Sequence, residues 1–117
     1  MDKFKETVAV TEGDDGYVAT SVHRQYDDGI QYRSVLHFQR SDAAALADAM
    51  EQFASTRNDQ NLTLADGTLR LFAQQRSAML NMELTRDPAV PHGGYDTMDL
   101  SLDSLPAVIA GLRTRAD

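Results

Sequence analysis

A strand that runs straight into a helix occurs twice in this chain, 62 residues apart. Residues 30–38 alternate apolar and polar side chains, and then Ser41 and Asp42 open an apolar helical pattern over 43–54. Residues 95–102 alternate in the same way, and Asp103 and Ser104 open a second helical pattern over 105–113. With Ser41 aligned on Asp103, Leu36 falls on Met98, Phe38 on Leu100, Leu46 on Val108 and Met50 on Leu112. Strand side chains repeat with period two and helix side chains with period 3.6, so matched apolar positions predict matched buried faces. The expectation is a single domain over residues 1–117, with two similar βββα halves at about 1–57 and 58–117.

The remaining segments read as strands and turns. Residues 7–12 and 17–24 flank Gly13-Asp14-Asp15-Gly16, and Asp27-Asp28-Gly29 leads into the third strand. Glycine and aspartate tolerate left-handed backbone angles, so these turns predict a meander of antiparallel hairpins. Residues 57–61 are polar and read as a linker. Residues 62–64 and 68–74 form a hairpin around Ala65-Asp66-Gly67, and residues 78–85 add a strand. Residues 87–94 hold two prolines and two glycines and must be a loop. The fold class that follows is α+β: one antiparallel sheet of six or seven short strands with both helices on one face.

The periodicity also assigns faces. Ile30, Tyr32, Ser34, Leu36 and Phe38 point to the core. Ala43, Leu46, Met50, Phe53 and Ala54 form the buried stripe of the first helix, and Leu105, Val108, Ile109 and Leu112 that of the second. Ser41 and Asp103 are the expected N-caps, and Pro106 sits in a first turn where its missing amide costs little.

Composition excludes several functions. There is no cysteine, which removes disulfides and thiolate metal sites and fits a reducing, cytoplasmic location. No leader-like segment opens the chain, and no apolar run approaches the ~20 residues that span a bilayer. The formal net charge of −7 disfavours phosphate backbones and anionic membranes as partners. No phosphate loop, nucleophile elbow or two-histidine zinc helix is present, so neither a cofactor nor catalysis is expected. His23 and His37 can meet on adjacent strands near Asp27 and Asp28, but nothing fixes a third metal ligand. Gly93 and Gly94 beside His92 allow close approach of a small ligand to the 87–94 loop.

The sheet face away from the helices is the expected binding surface. It carries Arg33, His37, Arg70, Phe72 and Tyr95, with Val35, Gln74, Asn81, Glu83 and Thr97 between them. Aromatics beside guanidinium groups suit either a protein interface or stacked bases. Leu100-Ser101-Leu102-Asp103-Ser104-Leu105 resembles, in layout only, the strand-into-capped-helix step of the Whirly and transcriptional-coactivator type of single-stranded-DNA binder. That resemblance implies nucleic-acid binding by the open face, but the acidic charge departs from the type and its basic loops are missing. The leading expectation is a small, acidic, non-catalytic interaction module: a protein-binding regulator or inhibitor acting as a homodimer, pairing through a sheet face or an edge strand. Single-stranded nucleic-acid binding and small-ligand binding at the 87–94 loop are the alternatives.

Overall fold

The computed structural model describes residues 3–13, 15–73 and 78–116. In chain order the elements are β1 (Phe4–Glu12), β2 (Tyr17–Tyr26), β3 (Gln31–Gln39), α1 (Ala43–Thr56), β4 (Gln60–Thr63), β5 (Gly67–Ala73), β6 (Met79–Arg86), β7 (Gly94–Ser101) and α2 (Leu105–Arg115). A single 3-10 turn precedes each helix, at Arg40–Asp42 and at Leu102–Ser104.

The class is α+β with antiparallel strands, but the single sheet is not what forms. There are two sheets, ordered β1-β2-β3 and β4-β5-β6-β7. Their edges β3 and β7 lie side by side without a backbone ladder, because side chains occupy the groups a ladder would use. Ser34 Oγ donates to the Thr97 carbonyl at 2.9 Å, and the Asp99 amide donates to Tyr32 Oη at 3.0 Å. Arg24 donates to the Asp99 carbonyl at 3.1 Å, and Arg86 donates to the His37 carbonyl.

Two equal βββα halves are not seen either, since the second unit carries the extra strand β4. The offset of 62 nevertheless holds in the strand register. Tyr17 pairs with Gln39 in the first sheet, and Met79 pairs with Ser101 in the second. The correspondence slips by one residue at the outer strand: Val8 pairs with Val22, whereas Leu69 pairs with Leu84. β4 begins inside the stretch expected to be linker, and Gln74 lies outside the described residues.

Each helix crosses to the sheet it does not follow. α1 packs on β4 and β5, α2 packs on β1 and β2, and the helices pack on each other. Leu36, Phe38, Leu46, Met50, Phe53, Leu71, Leu80, Met82, Leu100, Val108 and Leu112 fill the core between them. Burying side chains of this kind is worth roughly 1.5–3 kcal/mol each. Gly111 sets the approach of α2, because a Cβ there would lie 2.8 Å from Val10.

Several side chains depart from the periodic reading. Ile30 precedes β3 in the turn and is 62% exposed, while Tyr32 and Ser34 are half-buried at the seam. Ala54 is exposed and Ile109 half-buried. Neither Ser41 nor Asp103 is the N-cap. Asp42 and Ser104 hold those places without side-chain capping bonds, because the 3-10 turns move each helix start onward. Their side chains tie distant segments instead. Asp42 accepts from the Ala65 amide at 3.2 Å, and Ser104 donates to Glu6.

Candidate functional site

Alternation in the strands gives each sheet an outer face. On the first sheet the outward positions are alternate residues over 5–11, 19–25 and 31–37, and none of them is acidic. Several are small (Thr7, Ala9, Thr11, Ala19, Ser21), and Val35 among them is 46% exposed. Arg33 sits opposite His23 and has no acidic partner among the described residues. On the second sheet, Arg70 stands 4.2 Å over the Phe72 ring and is bonded to Asp59 at 3.0 Å and Glu83 at 3.4 Å. Tyr95 donates its hydroxyl to Glu83 as well.

The five expected site residues therefore fall into separate groups. Arg70, Phe72 and Tyr95 are brought together around Glu83. Arg33 lies on the other sheet, and His37 turns toward a third cluster. Arg70 is half-exposed and pairs with two partly exposed carboxylates, an arrangement that is worth little at a surface.

That third cluster was not expected. His37 stacks on His92 with ring centroids 3.8 Å apart and planes 6° from parallel. His92 bonds to Asp15 at 3.1 Å and meets the Tyr17 ring edge-on. Tyr17 donates to Asp66 at 3.0 Å, and Asp66 also takes the Arg86 guanidinium at 2.9 Å. The His23–His37 meeting that adjacent strands allow does not occur, because the register puts His37 opposite Ala19 and His23 opposite Arg33. No group of three or more possible metal ligands exists among the described residues. The 87–94 loop folds on itself: a Cβ on Gly93 would lie 2.2 Å from the Asp87 carbonyl, and His92 takes a left-handed φ of 58°.

The cluster is electrostatically graded. Burial and the adjoining His92 ring, with the Arg86 guanidinium, hold the His37 imidazole below its ordinary value, against Asp15 and Asp96. The hydrogen bond from His92 holds Asp15 below the usual carboxylate range. Burial pushes the Asp66 carboxyl up, but bonds from Arg86 and Tyr17 outweigh it and keep the group low. For His37 the unfolded chain takes up its proton first as pH falls, so the folded state loses stability from about 6.5 downward. We expect the urea midpoint to fall between about pH 7.5 and about pH 5.5, and to fall less in His37→Phe, which keeps a stacked ring without a titrating one. An equal fall in both proteins would remove His37 as the source.

Sequence reasoning missed two buried arginines. Arg24 bonds to Glu6 through Nε at 2.8 Å and Nη2 at 2.7 Å, and is 2% exposed. Arg86 is 3% exposed and bonds to Asp66. The rings of Phe4 and Tyr32 flank Arg24, and those of Tyr17 and Phe38 flank Arg86. The two arginines are 62 residues apart, and so are the carbonyls they reach across the seam, at Asp99 and His37. They staple the two sheets and so fix where both outer faces point. No helix among the described residues is long and apolar enough to cross a membrane. A scan against protein-family models finds no match to the chain, and a search of curated proteins finds no similar one.

Proposed function

We propose that the chain is a small non-catalytic interaction module, a protein-binding regulator or inhibitor that acts as a homodimer. The observation that carries this reading is strand β1. It is an outer strand of nine residues without proline, and its free side has no backbone partner among the described residues. Residues 7–11 read Thr-Val-Ala-Val-Thr, uncharged and of high β propensity. Such an edge is a template for pairing unless another strand covers it. Two copies pairing antiparallel about Val8 would set Thr7 opposite Ala9 and Glu6 opposite Val10, with no like charges opposed. The contact is isologous and closes as a dimer.

The same pairing would run the acid-free outer face on from one copy to the next. With Lys5 and Arg33 and no carboxylate at its outward strand positions, that face complements an acidic protein partner. Ala9→Glu puts a carboxylate on β1 opposite Thr7 of the second copy. The expected outcome is loss of the dimer with an unchanged circular-dichroism spectrum. A dimer that persists in Ala9→Glu would remove β1 as the interface.

Single-stranded nucleic-acid binding is a second reading, with the Arg70–Phe72 stack in its favour. It requires salt-sensitive binding that Arg70→Ala abolishes. The two carboxylates already on Arg70 weigh against it.

A further inference from the structure

Residues 87–93 fold into a loop between β6 and β7 that is bonded mainly to itself. The Val90 amide donates to the Asp87 carbonyl at 3.1 Å and the Gly93 amide to the Val90 carbonyl at 2.9 Å. The Ala89 amide donates to the Asp87 carboxylate at 2.9 Å. Among the described residues, the hydrogen bonds and ring contacts that tie this loop to the rest of the molecule all come from His92. It bonds to Asp15 in the β1–β2 turn, stacks on His37 of β3 and meets the Tyr17 ring of β2.

His92 makes these contacts at a left-handed φ of 58°. A residue with a side chain keeps that conformation only where its surroundings hold it there. Gly94, at a φ of 104°, joins the loop to β7 and gives it a hinge. The loop is therefore a self-bonded piece fastened through one imidazole.

That fastening depends on charge. Imidazole rings stack face to face while at most one is charged, but two imidazolium rings with centroids 3.8 Å apart repel each other. Besides His92, the groups facing His37 are Asp15, Tyr17, Arg86 on β6 and Asp96 on β7. Arg86 is a further cation, Asp15 is already bonded to His92, and Asp96 is exposed and bonds to neither ring. The Tyr17 hydroxyl is turned to Asp66. Burial, His92 and Arg86 oppose a proton on His37 while the ring is covered, and Asp15 and Asp96 offset only part of this. An uncovered His37 takes up its proton more readily, so falling pH favours the uncovered state. The β3 ladder holds His37 in place opposite Ala19, which leaves His92 as the ring that departs.

We propose that residues 87–93 are a lid that His92 latches shut and that lifts when His37 takes up a proton. Lifting bares the His37 and Tyr17 rings at the end of the first sheet's outer face and adds a positive charge there. Use of that bared end by an acidic partner rests on the function proposed above, whereas the lid itself does not.

The test is NMR of the full chain from about pH 7.5 to about pH 5.5, following nuclear Overhauser contacts from the His92 ring to the His37 and Tyr17 rings. In the wild type both contacts should disappear reversibly over this range while the sheet amides keep their folded spectrum. His37→Phe keeps a ring under His92 without a site for the proton, and its His92–Tyr17 contact should persist throughout. The proposal is overturned if the wild-type contacts survive at about pH 5.5, or if His37 leaves while His92 stays on Tyr17. It is also overturned if the contacts vanish only together with the folded spectrum, or at the same pH in His37→Phe. None of these results bears on whether the chain dimerises through β1.

Discussion

Replacing Glu6 by alanine is expected to lower the unfolding free energy by about 3–5 kcal/mol, the range for breaking a buried ion pair from one side. Its partner Arg24 is almost fully buried and would keep its charge with no carboxylate beside it but the half-exposed Asp99, 3.8 Å away. Glu6 also accepts from the Ser101 amide at 3.0 Å and from the Ser104 hydroxyl, so both donors would lose their partner. A domain of this size has roughly 5–15 kcal/mol in total, so the loss leaves a marginal protein. Urea denaturation of Glu6→Ala measures it. The double variant Glu6→Leu/Arg24→Met removes the stranded charge and should recover part of the loss, but not all, because Ser101 and Ser104 stay unpaired. A single variant within about 1 kcal/mol of wild type would show that the pair contributes little.

Asp66→Ala is the second large effect, about 3 kcal/mol or more on the same grounds. Arg86 would be left buried, with only the His37 carbonyl to receive its protons. Tyr17 and Gln39 would lose an acceptor at the same time. The two variants should differ in where they loosen the molecule. Glu6 binds the start of α2 to β1 and Arg24, whereas Asp66 binds the β4–β5 turn to β2 and β6. Hydrogen exchange resolves this: Glu6→Ala should expose α2 first, and Asp66→Ala the β4–β5 hairpin. Identical exchange patterns would contradict the view that each arginine staples its own end of the seam.

The antiparallel α+β class and both helices were legible because each depends on local periodicity. Leu36, Phe38, Leu46, Met50, Met98 and Leu100 recur at the spacing their elements require, and all are buried. The division into two sheets was not legible. It depends on long-range side-chain bonds across β3 and β7, and no local pattern encodes Tyr32 meeting Asp99 or Ser34 meeting Thr97. The arginine staples were within reach, however. Arg24 and Arg86 share the offset that revealed the repeated unit, and each stands at an even position among inward-facing apolar residues. Reading 78–85 as the strand stopped one residue short of Arg86. The same alternation grouped Arg33, His37, Arg70, Phe72 and Tyr95 on one face. The structure keeps Arg70, Phe72 and Tyr95 together around Glu83 and carries Arg33 and His37 on the other sheet.

The caps illustrate a different gap. Ser41 and Asp103 have capping chemistry, but an intervening 3-10 turn places them one position too early. His92 could not be paired with His37 from sequence, because the contact depends on how the 87–94 loop folds back toward the β1–β2 turn.

The most direct test of the account is light scattering behind size exclusion on the wild-type chain and on Ala9→Glu, at low and high salt and with a single-stranded oligonucleotide added. The account predicts a wild-type mass of twice the 12.9 kDa chain, indifferent to the oligonucleotide, and a monomeric variant. A wild-type chain that is monomeric at about 100 μM, or that gains mass with the oligonucleotide only at low salt, would contradict it.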